Sequence, residues 1–164
     1  MPDLETRSES VDGSPGQDCV TAGIGLLLAR FSDAVDGRRP NEVARLFAHD
    51  ELFQPGEKAV RGQPAIEKFY IERLSSPLRR TCHVWANVRV SRSGTSAATV
   101  MAVLTNYVYD PAVSRTELQQ RIGKVTAACL RDADGTWRFL EHLYDRIFAV
   151  RLQLADAPTT NEPK

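Results

Sequence analysis

Three histidines, His49, His83 and His142, are spread along the 164-residue chain. A neutral imidazole takes up a proton readily near neutral pH, provided its tautomer is held and its cation stabilised. A carboxylate does both. His83 lies early in a run of strand-forming residues, and the two-residue period of a strand puts Trp85 and Asn87 on its face. Asp36 follows Val35 at the edge of an apolar helical stripe, close to that helix's end. An anion in the last turn of a helix is disfavoured by about 0.3–1 kcal/mol and needs a compensating partner. We expect that partner to be His83, within hydrogen-bonding reach, the pair forming a general base and the carboxylate that orients it. Further along, His142 shares a strand face with Leu140 and Tyr144, while Glu141 shares the other with Phe139 and Leu143. His142 is the expected inward residue of the two. Either Tyr107 or Asn106 can offer a hydrogen bond to a ligand oxygen, and Tyr107 is the preferred candidate. His49, beside Asp50, is expected in an exposed loop.

Other chemistries lack their residues. Three widely spaced histidines form no HxxH or HExxH pattern, and Cys19, Cys82 and Cys129 form no CxxC, so no metal site is expected. No glycine-rich phosphate loop or GxSxG elbow occurs, and no cofactor is expected. Lys plus Arg (21) balance Asp plus Glu (21), which argues against a nucleic-acid partner. The longest apolar run, Ile24 to Ala29, is too short to span a bilayer. With unpaired thiols and no targeting segment, the expected location is the cytoplasm.

The elements that must position these residues change period near residue 80. Residues 1–17 are polar and rich in Ser, Pro and Gly, and read as a disordered arm; 155–164 read as a flexible tail. The domain between, 18–154, begins with Val20, Ile24, Leu27, Leu28, Phe31 and Val35 at helical spacing, which predicts a helix over 18–36 that Gly37 ends in a left-handed conformation. Pro40 opens a second helix carrying Val43, Leu46 and Phe47 on one face. Short strands at 51–54 and 59–61 flank a Gln54-Pro55-Gly56-Glu57 turn, and Gly62 and Pro64 start a third helix. Four strands follow, at 82–91, 97–109, 117–131 and 136–150, with turn residues around Gly94 and Gly135. Helices first and an antiparallel meander after predict an α+β domain with the helices on one face of a curved sheet. Leu28, Phe31, Phe47, Phe69, Leu104 and Phe139 are its expected core. Both faces of the 97–109 strand are apolar, which predicts a homodimer or other homo-oligomer through the outer sheet face.

Three segments carry a family resemblance over about residues 20–150. They are Phe31-Ser-Asp-Ala-Val-Asp-Gly with Val43-Ala-Arg-Leu-Phe-Ala-His-Asp; Val60-Arg-Gly-Gln-Pro-Ala-Ile; and Thr81-Cys-His-Val-Trp-Ala-Asn-Val-Arg-Val with Asp134-Gly-Thr-Trp-Arg-Phe. In this order they resemble the SnoaL-like branch of the nuclear transport factor 2 superfamily, which implies a cone-shaped domain whose bent sheet wraps a pocket. Within the branch the chain is similar to scytalone dehydratase, a lyase, where an Asp at the end of the first helix supports a base His on the third strand. Asp36 and His83 stand at those places. Where that enzyme has two tyrosines, this chain has Val35 and either Phe53 or Gln54, so Phe53 is an expected ligand contact. The stretches Thr81 to Val90 and Trp137 to Val150, the latter including Tyr144-Asp145-Arg146, resemble the small subunit of aromatic-ring-hydroxylating dioxygenases, which is largely structural. The catalytic Asp of ketosteroid isomerase falls where this chain has Gln54, which cannot act as a base. The resemblance implies a small, apolar, oxygenated ligand, aromatic, polyketide-like or terpenoid. It also implies either cofactor-free dehydration, isomerisation or cyclisation with His83 as base, or a non-catalytic binding subunit.

Overall fold

The computed structural model describes residues 15–154; residues 1–14 of the expected arm and the expected tail at 155–164 lie outside the described residues. The helices are α1 (Pro15–Asp36), α2 (Pro40–Arg45) and α3 (Gln63–Arg73), with strands β1 (Phe47–Gln54) and β2 (Val60–Arg61) between the last two. Four long strands follow: β3 (Arg80–Ser93), β4 (Ala97–Tyr109), β5 (Glu117–Arg131) and β6 (Trp137–Gln153). They form one open six-stranded sheet in the order β2-β1-β6-β5-β4-β3. All pairs are antiparallel except β1 with β6, which is parallel. The architecture is an α+β cone, with the helices packed on one face of a mixed sheet.

Helix α1 starts at Pro15, so residues 15–17 of the expected arm are helical; proline suits a first helical turn because its missing N–H needs no partner there. Phe47 belongs to β1 rather than to α2. It aligns with Phe139 of β6, whose N–H donates to the Leu46 carbonyl at 2.8 Å. That pairing ends α2 after six residues. Five of the expected core residues, Leu28, Phe31, Phe47, Leu104 and Phe139, are buried, whereas Phe69 is half-buried. Gly23 lets α1 lie against β6, because a Cβ there would fall 2.5 Å from the Trp137 indole nitrogen.

The exit from α1 fixes Asp36. Arg38, not Gly37, takes the left-handed conformation, at φ 59°. The Arg39 N–H donates to Ala34 O at 2.8 Å and the Arg38 N–H to Val35 O at 3.1 Å, the paired closure of a Schellman turn. The Arg38 guanidinium then donates to the carbonyls of Ser76 (2.7 Å), Arg79 (3.2 Å) and Leu74. The end of α1 is thereby tied to the segment that leads from α3 into β3.

Bulges set which side chains face the helices. In β3 the pairing moves from Ala86–Val103 to Arg89–Met101, one residue out of step, and Asn87 sits there at φ 51°. In β6 Leu140 is the extra residue between Phe139–Cys129 and Glu141–Ala128, and Ile147 that between Arg146–Gly123 and Phe148–Ile122. The Leu140 bulge reverses the alternation, so Phe139 and His142 both point inward.

Candidate active site

Asp36 ends α1 beside the first residues of β3. Its carboxylate accepts hydrogen bonds from the Thr81 hydroxyl at 2.7 Å and the His83 backbone N–H at 2.9 Å, and its Oδ1 lies 2.6 Å from His83 Nδ1. These contacts answer the electrostatic problem of an anion at a helix C-terminus. Burial opposes ionisation of Asp36. The hydrogen bond and charge of His83, with the backbone and Thr81 bonds, outweigh it and hold the carboxyl below its ordinary range. An ionised Asp36 can only accept, so the neutral His83 ring carries its proton on Nδ1 and keeps Nε2 as a free base.

His83 of this pair stands at one wall of a cleft of about 880 Å³ between the helices and the sheet. Phe31, Phe53, Phe69, Tyr70 and Leu104 give it apolar walls. Phe31 stands edge-on to His83, with centroids 6.4 Å apart, and stacks on His142 at 5.1 Å and 21°. His142 lines the same cleft at 2% exposure, and burial, with the nearby His83, lowers its pKa to about 4. It is therefore neutral at pH 7. Both His142 nitrogens, Asn106 Oδ1 and the Tyr144 hydroxyl are buried without a hydrogen-bond partner among the described residues. Tyr144 reaches the cleft because β5 has Gly123 beneath it; a Cβ there would lie 2.5 Å from the Tyr144 ring.

Strand register ties these groups together. His83 of β3 pairs with Asn106 of β4, and Asn106 with Arg121 of β5, so the three form a row across one face. Arg73 and Arg146 line the cleft beside this row. Among the expected contacts, Phe53 and His142 line the cleft and three residues do not. Trp85 is a brace: its indole N–H donates to Ser32 Oγ at 2.8 Å and Leu28 O at 3.2 Å, holding α1 to β3. Asn87 is exposed, because the β3 bulge breaks the alternation that would place it with His83. Tyr107 lies on the outer sheet face, where its hydroxyl accepts from Gln120 Nε2 at 3.2 Å; Asn106 is the inward residue of that pair. Arg73, Arg121 and Tyr144 are not among the residues expected from the sequence at the cleft. No sequence signal separates Arg121 from a surface arginine; the cross-strand row does.

Helices over an open, curved sheet, with a His–Asp pair at the wall of a mixed cleft, define an α+β cone protein. The chain belongs to the SnoaL-like domain family, whose model matches residues 20–142. Its fold is similar to a scytalone dehydratase-like protein of Novosphingobium aromaticivorans, at TM-score 0.74 and 18% identity over 91% of this chain and 98% of that one. A hexachlorocyclohexane dehydrochlorinase (LinA) is similar at TM-score 0.72 and 16% identity, over 84% of this chain and 91% of that one. A Catenulispora acidiphila protein, in complex with S-DNPA, is similar at TM-score 0.69 and 20% identity, over 79% and 95%. No curated protein matches the chain. No helix among the described residues is long and apolar enough to cross a membrane.

Proposed function

We propose that this protein is a cofactor-free lyase or isomerase, a dehydratase or cyclase, acting on a small, largely apolar, oxygenated metabolite of aromatic or polyketide-like character. The observation that carries the reading is the 2.6 Å approach of Asp36 to His83 Nδ1 at the cleft wall. His83 Nε2 takes a proton from carbon next to a carbonyl, and Asp36 stabilises the imidazolium that forms. Electron flow from the resulting enolate expels a hydroxide-type leaving group on the neighbouring carbon, which departs as water once protonated. Asn106, neutral His142 and Tyr144 supply hydrogen-bonding groups without a partner among the described residues, on β4 and β6, for the substrate oxygens. The related folds include dehydratase-like and dehydrochlorinase proteins, both named for eliminations, which supports the reaction class.

The test uses 3-hydroxy-1-tetralone, which loses water to give fluorescent 1-naphthol, and solvent-deuterium exchange next to its carbonyl. The wild type should accelerate exchange or dehydration, His83→Ala should abolish it, and Asp36→Asn should reduce it by less. Binding of the ketone without exchange would instead favour a non-catalytic binding or structural subunit. That second reading has its own support in the exposed apolar residues of the sheet, including Val84, Met101, Ile147 and Phe148. The same residues support a homo-oligomer, most simply a homodimer through the sheet, which light scattering at micromolar concentration tests. The free state of Cys19, Cys82 and Cys129 supports a cytoplasmic location.

A further inference from the structure

The cleft that holds the dyad is apolar along its inner walls and basic at one end. Arg73 comes from the last turn of α3, Arg121 from β5 and Arg146 from β6, and all three line the cleft. The cleft's acidic side chains, Glu57 and Asp145, form no ion pair with them, nor does any other carboxylate among the described residues. Among the described residues the Arg121 side chain donates only to the Gln119 side-chain oxygen, at 2.7 Å. Beside Arg73, Arg79 has its Nε buried without a partner among the described residues, and Asp110 near it already accepts from the Ser76 hydroxyl and the Ala112 N–H at 3.1 Å each.

A guanidinium cluster that no carboxylate engages in an ion pair, among the described residues, is unfavourable on its own. Burial disfavours the charged forms of Arg73, Arg79 and Arg121, and their mutual repulsion adds to it, offset at Arg79 in part by the charge of Asp110. Three other arginines in this chain do have a carboxylate partner: Arg39 pairs with Glu42, Arg138 with Asp132 and Arg151 with Glu117. An unpaired cluster at the edge of a binding cleft is an anion site by charge and by the fork geometry of its donors.

We propose that the ligand of this cleft is an organic carboxylate, its anionic group held by Arg73 and Arg121 with Arg146 at the rim, and its apolar body reaching along the sheet to His83. The proposal rests on the reading of the cleft as a ligand site and narrows it to a substrate class. The sheet sets the scale. His83 and Arg121 lie two strands apart with Asn106 between them, which is roughly 10 Å at the usual strand spacing. A molecule that meets both spans about the length of a fused bicyclic acid.

The test is calorimetric titration of the full chain with 2-naphthoate and with its neutral counterpart, 2-naphthamide. The wild type should bind the carboxylate about tenfold or more tightly than the amide. That gap should shrink as salt is raised from about 50 to about 500 mM. Arg121→Gln and Arg73→Gln should each remove most of the gap by weakening 2-naphthoate alone. The exposed Arg146→Gln, independent of α3, should reduce it by less, and Tyr107→Phe on the outer sheet face should leave it intact. Equal affinities for the two probes would overturn the proposal and leave the ligand-site reading standing. So would an Arg121→Gln variant, folded by circular dichroism, that weakens both probes alike or neither. Failure of both probes to bind the wild type would overturn the proposal and the ligand-site reading together.

Discussion

The two walls of the cleft treat their polar groups differently. On the α1–β3 wall, Asp36 accepts from Thr81 and from the His83 N–H, and the imidazole lies 2.6 Å from it. On the β4–β6 wall, Asn106 Oδ1, both His142 nitrogens and the Tyr144 hydroxyl have no partner among the described residues. A buried polar atom without a partner costs about 1–3 kcal/mol, so the second wall is poorly matched to the empty protein and well matched to a ligand that brings its own polar atoms. The first wall is complete in advance. The contrast separates a preorganised base from the surface that orients what it acts on.

The largest break in this arrangement comes from the ring that touches both walls. Phe31 contacts His83, Trp85, His142 and Phe139, and Phe31→Ala should destabilise the protein by about 3–5 kcal/mol in urea unfolding. An unchanged midpoint would mean that the walls do not depend on it.

Acid titration sharpens the comparison next. The carboxyl of Asp36 is held below its ordinary value in the fold, so its contribution is present above the unfolded value and is lost as pH falls through the folded one. Asp36→Asn should be less stable than wild type at pH 7, and its stability should fall less between about pH 5 and about pH 2. Parallel curves would show that the carboxylate is not stabilised by its partners.

His142 titrates in a different window. Its pKa drops from 6.5 unfolded to about 4 folded. Between those values the unfolded chain binds more protons, so stability falls as pH drops from 6.5 to 4. His142→Phe, which removes two unpartnered nitrogens, should lose less stability over that window and little or none at pH 7. Should it instead lose stability at neutral pH as a well-bonded group would, the wall is not unpaired.

The smallest effect belongs outside the cleft. Tyr107→Phe removes one hydrogen bond on the outer face and should cost at most about 1 kcal/mol, with ligand affinity unchanged in the same titrations.

The difference between the walls is also a difference in legibility. Helical spacing put Asp36 at a stripe edge near a helix end, strand spacing put His83 on a face with Trp85, and the unfavourable helix-end anion supplied the reason to join them. Regular periodicity is enough for that wall, because β3 stays in register from Arg80 to Ala86. On the other wall strict alternation sets Phe139 and His142 on opposite faces, and only the Leu140 bulge brings both inside. The β3 bulge likewise turns Asn87 outward. Phe47 continues the helical spacing of α2, but its pairing opposite Phe139 is a long-range fact that local pattern does not contain. Arg121 shows the same limit: a strand arginine reads as a surface charge until register sets it in line with Asn106 and His83.

The central claim is that Asp36 holds His83 as a base with Nε2 free, and long-range ¹H–¹⁵N spectra of the histidine side chains test it most directly. In its neutral form the wild-type His83 ring should carry its proton on Nδ1 alone, and Asp36→Asn should shift it toward a mixture of tautomers. An Nε2–H tautomer in the wild type, or His83 signals identical in the two proteins, would contradict the account.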